Sequence, residues 1–272
     1  MKASIVIATY NGQKFIGQQL ISLLNQNYNN IEIIISDDNS NDDTISIAKK
    51  ILTKKDIDFK IISNPYGLGF INNFRNAIEY STGDIIFLCD QDDIWYSDKV
   101  SKHMSIYKDN LDVCMVYNKV SLTDEENNKV GALEQAIGSN YYTQKRSTAS
   151  YTWGSCILGC ATSYRYKSIS GIWPADQFAP AHDSWIQLLL SKKKHIFLDQ
   201  YLQDYRQHAN NVFGIKKNHD NDIAEAQYRA IRQNFKYIKS LILNKIVPKN
   251  IKAYLIIVLI FKIIKYKLLK IY

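Results

Sequence analysis

The sequence predicts an α/β fold in which helices cover a largely parallel β-sheet. Over roughly the first 120 residues, apolar runs rich in β-branched residues alternate with amphipathic segments of about 10–15 residues, as in consecutive β-α-β units. The composition, 46% hydrophobic and 22% charged, is that of a globular protein and excludes a wholly disordered chain. With 272 residues, the chain can form one large domain with an appendage.

The strands and helices of this alternating region can be placed from their residue patterns. Strands are short runs of Ile, Val and Phe, as expected where both faces of a parallel sheet are covered. Helices carry apolar residues three or four positions apart. The predicted elements are strand Ala3–Thr9, helix Lys14–Asn27, strand Ile31–Ser36, helix Asp42–Leu52, strand Phe59–Ser63, helix Phe70–Tyr80 and strand Asp84–Cys89.

Polar residues follow three of the predicted strands. They are Thr9-Tyr10-Asn11-Gly12, Asp37-Asp38-Asn39-Ser40 and Asp90-Gln91-Asp92-Asp93. Ligands of parallel sheets bind beyond the carboxyl ends of the strands, so these side chains are the candidates for a site. The chain has neither a Walker A loop nor a GxGxxG motif, so carboxylates would meet any phosphate through a divalent metal. Oxygen ligands favour Mg²⁺ or Mn²⁺.

The charge is unevenly distributed. Residues 226–272 contain eleven Lys or Arg and no Asp or Glu, so the net charge of +8 leaves −3 for the preceding residues. A basic, apolar tail on a slightly acidic body favours an anionic membrane surface over nucleic acid as the partner. The four cysteines form no CxxC pair, and the N-terminus begins as a strand without a signal-peptide pattern. We therefore expect a cytoplasmic protein.

Six motifs resemble those of the family 2 inverting glycosyltransferases, which have a GT-A fold. They are SIVIATYNG, ISDDNSNDDT, FLCDQDDIW, GCATSYR, HDSW and YRQHANN, spread over roughly residues 3–214. The combination of DQDDIW with HDSW and YRQHANN is most similar to the bacterial rhamnosyltransferase-like branch, which builds cell-surface polysaccharides. The resemblance implies a Rossmann-like, mixed, mostly parallel sheet flanked by helices. We expect a catalytic domain over residues 1–215 and basic amphipathic helices over 216–272.

For the nucleotide, the resemblance implies that Asp38 accepts a hydrogen bond from N3–H of a pyrimidine base. Thr9, Tyr10 and Asn11 would lie beside that base, with the Tyr10 ring available for stacking. Uracil and thymine both present this donor, so a UDP-sugar and a dTDP-sugar remain open. Asp38 could instead be a turn carboxylate, and Tyr10 a packing residue.

Two basic positions and the acidic loop, Asp90-Gln91-Asp92-Asp93, complete the implied donor site. The resemblance makes Asp92 the metal ligand and places Asp90 near the ribose or a metal-bound water. It places Arg206 at the diphosphate and His208 in the metal shell. The alternative for the acidic loop is a helix cap. Asp93 has no assigned partner.

A further basic residue, Arg75, resembles one that faces the donor nucleotide. Glu79 stands four residues later, so a surface ion pair is the alternative.

On the acceptor side, the resemblance implies that Asp183 is the catalytic base, because inverting transfer needs a carboxylate to take the acceptor proton. Trp185 would offer its ring to a sugar. The alternatives are a helix cap for Asp183 and a core position for Trp185. Cys160 lies in a strand-like stretch as a packing residue. Residues 124–150 are expected to form a mobile loop over the acceptor side.

The tail predicts two amphipathic helices, over residues 220–243 and Ile251–Ile271, separated at Pro248. Its longest apolar run, Ala253–Phe261, is far shorter than the roughly 20 residues that span a bilayer. One apolar stripe is flanked by lysines, as in interfacial helices. The stripe consists of Ile257, Phe261, Ile264, Leu268 and Ile271. Binding to the membrane surface is therefore expected, with packing on the catalytic body or on a second subunit as the alternative.

The sequence thus predicts a metal-dependent inverting glycosyltransferase on the cytoplasmic face of the membrane. The first expectation for the donor is dTDP-rhamnose, otherwise a UDP-hexose, and for the acceptor a growing polysaccharide or a lipid-linked glycan. Nucleic acid is not an expected partner, and a homo-oligomer is left open. Two alternatives remain. One is a sugar nucleotidyltransferase, which would require a glycine-rich loop after the first strand. The other is a non-catalytic scaffold, which would not need the carboxylates.

Overall fold

A computed structural model describes residues 1–143, 157–209, 211, 236–257 and 260. In this part of the chain, nine strands form one sheet in the order β3-β2-β1-β4-β8-β6-β9-β5, and β7 pairs with β6. The strands are β1 (Ala3–Thr9), β2 (Ile31–Asp37), β3 (Asp58–Ser63), β4 (Ile85–Cys89), β5 (Ile94–Trp95), β6 (Val113–Thr123), β7 (Lys129–Ala132), β8 (Thr162–Arg165) and β9 (Lys194–Arg206).

Helices connect and cover these strands. They are α1 (Ile16–Leu24), α2 (Thr44–Leu52), α3 (Phe70–Glu79), α4 (Lys99–Asp109), α5 (Leu133–Ile137), α6 (Tyr166–Ile169) and α7 (His182–Leu190). Two further helical segments, α8 and α9, span residues 236–243 and 249–257. Every predicted element of the N-terminal half is present. The bounds of α1 differ most from those expected.

The sheet register brings three strand ends to one edge. β1 pairs in parallel with β2 and with β4, and β2 pairs in parallel with β3. Thr9 lies opposite Asp37, and Ile7 lies opposite Cys89. The loops after β1, β2 and β4 therefore leave the same edge of the sheet. Beyond β4 the sheet is mixed, since β8 is antiparallel to β4 and β6, while β9 is parallel to β6. The predicted fold class is confirmed.

The described residues divide into two compact units. The first holds residues 1–143, 157–170 and 193–209 with 211, and so contains every strand of the sheet. The second joins residues 171–192, which include α7, with α8 and α9. The expected catalytic domain over residues 1–215 stays a prediction; the compact units group residues 171–192 with the C-terminal helices.

In the first unit, α1 and α2 pack on the parallel half of the sheet. The strands bury an almost continuous layer of aliphatic side chains, which explains their uninterrupted apolar sequences. The buried layer includes Ile5, Ile7, Ile33, Ile35 and Phe87, and the helices contribute Leu20, Leu23, Ala48 and Leu52.

In the second unit, α7 shares a core with both C-terminal helices. Trp185 and Leu188 of α7 pack with Tyr237 and Leu241 of α8 and with Leu255 of α9.

A buried carboxylate, Asp176, is hydrogen-bonded to residues of the C-terminal segment in this second unit. Asp176 accepts hydrogen bonds from Ser240 Oγ at 2.8 Å and from Asn244 Nδ2 at 3.1 Å. The described start of the tail thus packs on protein. Most of the predicted apolar stripe, from Phe261 onward, and residues 220–235 lie outside the described part. No helix among the described residues is long and apolar enough to cross a membrane.

Two local expectations need correction. Residues 124–143 are not a bare loop, because β7 extends the sheet on β6 and α5 follows it directly. Residues 144–150 lie outside the described part. Gly159 and Cys160 lie in a 3-10 turn over Gly159–Ala161, and the strand begins only at Thr162.

Candidate functional site

The loops after β1 and β2 are joined by hydrogen bonds between backbone and side chains. The amide of Asn11 donates to Ser40 Oγ at 2.8 Å, and the amide of Asn41 donates to Asn11 Oδ1 at 2.9 Å. The amide of Gly12 donates to Thr44 Oγ1 at 2.7 Å. Asn11 has a φ of 46°, a conformation that Asn tolerates better than most residues. Its side chain is therefore a connector between the two loops.

Asp37 joins the two loops where they leave the sheet. Its carboxylate accepts hydrogen bonds from Thr9 Oγ1 at 2.8 Å and from the amide and hydroxyl of Ser40 at 2.9 and 2.6 Å. Thr9 is 1% exposed, and Asn73 Nδ2 donates to its carbonyl at 3.2 Å. Thr9, predicted to lie beside the base, thus has its hydroxyl directed to Asp37.

Asp38 links the loop after β2 to the loop after β3. Its carboxylate accepts hydrogen bonds from the amides of Leu68 at 2.5 Å and Gly69 at 3.0 Å. Gly69 directly precedes α3 and has a φ of 76°, a conformation that favours glycine. Each carboxylate oxygen has two acceptor positions, so Asp38 can accept a further donor. Its role toward a base stays a prediction.

The side chain of Gln91, in the acidic loop, hydrogen-bonds to the backbone of Tyr10. The amide of Tyr10 donates to Gln91 Oε1 at 3.0 Å, and Gln91 Nε2 donates to the carbonyl of Tyr10 at 3.1 Å. The ring of Tyr10 is 56% exposed, so it is available for stacking. A Cβ at Gly12 would overlap the Gln91 side-chain amide. Glycine at this position therefore allows the two loops to meet.

Asp92 and His208 form the polar pair at the end of β4. His208 Nε2 lies 2.8 Å from Asp92 Oδ2, and their side chains are only 7% and 12% exposed. The ring of Phe15 stacks on the imidazole with centroids 4.6 Å apart, which fixes its plane. The structure thus brings together residues 116 positions apart in sequence, as the motif resemblance implied.

Arg206 also packs on the Phe15 ring. Its guanidinium carbon is 4.8 Å from the Phe15 ring centroid, and its terminal nitrogens donate to Gln18 Oε1 at 2.6 Å and the Glu125 carbonyl at 3.2 Å. Burial lowers the pKa of Arg206, and Asp92 opposes that effect. Its Nε is buried without a hydrogen-bond partner among the described residues. An anion would satisfy this donor.

Asp93, the next residue after Asp92, is buried in the protein. It is 1% exposed and accepts hydrogen bonds at 3.3 Å from Gln203 Nε2 and from the amide of Arg206. Burial, together with Asp92 and Asp90, raises the pKa of Asp93 well above its usual range.

Two sets of described side chains could hold a cation. Asp90, Asp93 and Cys160 place one potential ligand atom each within 4.8 Å of one another. Burial raises the pKa of the Cys160 thiol, so it stays protonated, and the Lys99 ammonium lies 2.6 Å from the Cys160 carbonyl oxygen. Both facts disfavour a cation there. The carboxylate of Asp92 and the imidazole of His208 are ordinary Mn²⁺ or Mg²⁺ donors, so this second set fits a hard divalent metal.

Two other predicted site residues have partners of their own. Arg75 Nε donates to Glu79 Oε1 at 2.7 Å, so the alternative of a surface ion pair is realised. Trp185 is fully buried, and its Nε1 donates to the carbonyl of Ile172 at 2.9 Å. The expectation that Trp185 faces an acceptor sugar is therefore wrong, because the ring lies in the core of the second unit.

Asp183 lies in the first turn of α7, in the second unit. The residue that caps this helix is Ala181, which has no side chain to do so, and Asp183 Oδ1 accepts a hydrogen bond from the amide of Ser184 at 2.6 Å. Asp183 is 9% exposed. Its part in catalysis stays a prediction.

Sequence reasoning gave no role to Gln91 and Phe15. Gln91 occupies the variable middle position of the Asp-x-Asp motif, so the motif says nothing of it. Phe15 precedes α1, where an apolar residue usually means packing. Neither assignment could be read from local pattern, because each depends on a contact with a distant segment.

Comparison with known proteins places these residues in a family. A family model described as glycosyl transferase family 2 matches residues 4–173. UDP-Glc:alpha-D-GlcNAc-diphosphoundecaprenol beta-1,3-glucosyltransferase WfgD of Escherichia coli is 28% identical over 159 residues, which is 58% of each chain. The dTDP-rhamnosyl transferase RfbG of Shigella flexneri is 34% identical over 119 residues, 42% of this chain and 38% of that protein. The chain spans about half the length of these curated relatives.

Solved structures share the fold. TarS 1-349 of S. aureus in complex with UDP-GlcNAc has a TM-score of 0.63 at 16% identity, covering 88% of this chain and 66% of that one. The mannosyltransferase PcManGT of Pyrobaculum calidifontis, in complex with GDP-Man and Mn2+, has a TM-score of 0.62 at 16% identity, covering 93% and 68%. These neighbours confirm the GT-A arrangement of the sheet.

The contact between Gln91 and Tyr10 can be tested by adding one methyl group. In Gly12→Ala the new Cβ displaces the Gln91 amide, so the Tyr10 amide loses its acceptor. We expect faster hydrogen exchange at Tyr10, by about tenfold if roughly 1.4 kcal/mol of protection is lost. Amide exchange followed by mass spectrometry or NMR measures this.

Gly17→Ala is the matched control. Its Cβ would meet only Ile47 and Ile51 at ordinary contact distances, and alanine favours the α1 helix. Unchanged exchange at Tyr10 in Gly12→Ala would show that Gln91 does not hold this loop.

Proposed function

Because the chain belongs to glycosyl transferase family 2, we propose that it transfers a sugar from a nucleoside diphosphate donor to an acceptor hydroxyl, with inversion at the anomeric carbon. One observation carries this proposal: Asp92 and His208 meet at the end of β4, beside the loop that Gln91 ties to Tyr10. That arrangement offers a metal-binding pair and an exposed aromatic ring on one sheet edge.

The donor nucleotide would bind across the loops after β1, β2 and β4. Tyr10 would stack on the base, and Asp38 would accept its N3–H while keeping its amide contacts to Leu68 and Gly69. Asn11 and Thr9 would shape the loop from within. Arg75, which pairs with Glu79, would have to exchange that partner to reach the donor.

The diphosphate would be bound by a divalent cation and by Arg206. Asp92 and His208 would hold Mg²⁺ or Mn²⁺, with Asp90 nearby. The bound cation would supply charge that stabilises the departing diphosphate. The buried Nε of Arg206 offers a donor for a phosphate oxygen.

Transfer itself needs a base on the acceptor. We propose that Asp183 takes the proton of the acceptor hydroxyl as its oxygen forms a bond to C1 and the bond from C1 to the diphosphate oxygen breaks. The nucleoside diphosphate leaves from the opposite face. This role rests on the resemblance of His182-Asp183-Ser184-Trp185 to the motif of the family's base.

The relatives guide the choice of sugar and acceptor. WfgD is named for transfer from UDP-Glc to a diphosphoundecaprenol-linked GlcNAc, and RfbG is named a dTDP-rhamnosyl transferase. We propose a UDP-hexose or dTDP-rhamnose as donor and a lipid-linked glycan as acceptor for this chain.

Such an acceptor favours a peripheral position on the cytoplasmic face of the membrane. Ile256, Ile257 and Ile260 are 42%, 52% and 52% exposed, so one side of α9 and the residue beyond it presents apolar groups, while Ile251 and Leu255 are buried. Apolar groups beside a strongly basic tail suit anionic lipid.

The two alternative functions are less well supported. A nucleotidyltransferase would want a glycine-rich loop after β1, where this chain has an Asn-Gly turn hydrogen-bonded to the next loop. A scaffold would not need a buried Asp92–His208 pair.

The transfer reaction can be measured directly. The full chain is incubated with Mn²⁺, a polyprenyl diphosphate-linked GlcNAc, and either UDP-Glc or dTDP-rhamnose, and the mass of the acceptor is followed. We expect one hexose or deoxyhexose to be added. Asp183→Asn should keep its melting temperature and lose transfer by about 10²- to 10⁴-fold, the usual contribution of a general base.

Asp98→Asn is the matched control, because the Asp98 side chain, just before α4, is 37% exposed and forms an ion pair with Lys102. It should transfer at the wild-type rate. Near-normal turnover by Asp183→Asn would remove this residue as the base, and formation of a nucleotide sugar from a sugar phosphate would instead favour the nucleotidyltransferase.

Membrane binding can be measured by sedimentation with vesicles. We expect the full chain to bind vesicles containing phosphatidylglycerol and to release them as salt rises, because surface charge is screened. Replacing Ile256, Ile257 and Ile260 by Ser should weaken binding. Leu111→Ser is the control, since Leu111 is 80% exposed on the first unit. No binding to anionic vesicles at low salt would contradict the proposal.

A further inference from the structure

A fully buried lysine lies behind the acidic loop. Lys99, the first residue of α4, is 0% exposed. Its ammonium donates to the Cys160 carbonyl at 2.6 Å and to Gln203 Oε1, and it lies 3.6 Å from the centroid of the Trp95 ring. An unpaired ammonium in such surroundings would be strongly destabilising. Its position calls for a negative partner.

Gln203 connects this ammonium to Asp93. The Gln203 amide accepts from Lys99 through Oε1 and donates through Nε2 to Asp93 Oδ2 at 3.3 Å. Asp93 also accepts from the amide of Arg206 at 3.3 Å. Lys99, Gln203 and Asp93 are each at most 1% exposed, so the chain of hydrogen bonds is shielded from water.

The acidic loop needs such a connection, because Asp90, Asp92 and Asp93 are three carboxylates within four residues. Like charges this close repel, and the burial of Asp93 adds a desolvation cost. Burial lowers the pKa of Lys99 to about 8, although Cys160 and Cys89, and after them Asp93 and Asp90, oppose that shift, so the ammonium is still charged at neutral pH. The cation therefore offsets charge on the inner side of the loop.

We propose that Lys99 is a positioning residue of the donor site, which holds Asp93 inward through Gln203 and thereby leaves Asp92 turned toward His208. This inference rests on the proposed function, since it concerns how the metal-binding pair is presented. Lys99 would contact neither donor nor metal, because its ammonium is buried among Cys160, Gln203 and Trp95. It acts by fixing which carboxylate faces outward.

The test compares metal dependence in variants of the full chain. The readout is the Mn²⁺ concentration that gives half of the thermal stabilisation by UDP or dTDP. Lys99→Met should raise this concentration by about tenfold, in the range of outer-shell changes around metal ligands. Lys102→Met is the matched control on the same helix, because the Lys102 side chain is 38% exposed and its ammonium pairs with Asp98. It should leave the concentration unchanged.

The double variant Lys99→Met/Asp93→Asn tests the pairing. Replacing both ends of the hydrogen-bonded chain should return the Mn²⁺ concentration to within about threefold of wild type, and should destabilise the metal-free protein less than the two single changes added together. If Lys99→Met folds poorly, unfolding without metal still tests the pairing of Lys99 with Asp93. The double variant should then recover a folded protein.

The outcomes separate this inference from the function it rests on. Wild-type protein stabilised by the nucleotide with Mn²⁺, together with an unchanged half-effect concentration in Lys99→Met, would leave the donor site standing and show Lys99 to be merely structural. Strict additivity in the double variant would show that Lys99 and Asp93 are not coupled. Absence of any Mn²⁺-dependent stabilisation in wild type would overturn the metal site, and with it the role of Lys99.

Discussion

Charge crowding at the end of β4 is the constraint on which the rest of the site depends. Three carboxylates follow this buried strand, and they cannot all face one another in a medium of low polarity. The fold resolves this by dividing them. Asp93 turns inward to Gln203 and the Arg206 amide, while Asp92 turns to His208. The division leaves the Asp92 carboxylate beside an imidazole, which is a pair suited to a divalent metal.

The parallel register makes that pair useful. Because β1, β2 and β4 end at one edge, their loops can hydrogen-bond to one another before any ligand arrives. Gln91 ties the acidic loop to Tyr10, and Asn11 ties the loop after β1 to that after β2. A site held in this way loses little conformational entropy on binding, which is the usual benefit of preorganisation.

Local sequence patterns predicted the parallel half of the sheet well, since each strand there is apolar throughout and each helix is amphipathic. The motif residues Asp92 and His208 were also predicted to lie together. Lys99 and Gln203 were not, because a lysine at a helix start reads as exposed, and its partner comes from β9, 104 positions away. His103 lies one helical turn after Lys99 and is also fully buried. Its spacing from Lys99 was the one sequence signal that the two side chains share a face of α4.

Trp185 shows the opposite error. Its motif neighbours drew attention to sugar binding, whereas the run from Trp185 to Leu190 is apolar on nearly every side, which is typical of a helix buried among others. Much of the core that covers it comes from α8 and α9, more than 50 positions away. Sequence alone could not tell whether those helices pack on protein, bind lipid, or do both on different faces.

The central claim, that the edge formed by β1, β2 and β4 binds a pyrimidine nucleoside diphosphate through a metal, is tested most directly by calorimetry on the full chain. UDP, dTDP, GDP and CDP are each titrated with Mn²⁺ and after its removal by EDTA. The account predicts binding of UDP or dTDP that is lost without the metal, and much weaker binding of GDP and CDP. Equal binding of all four, or binding that EDTA does not change, would contradict it.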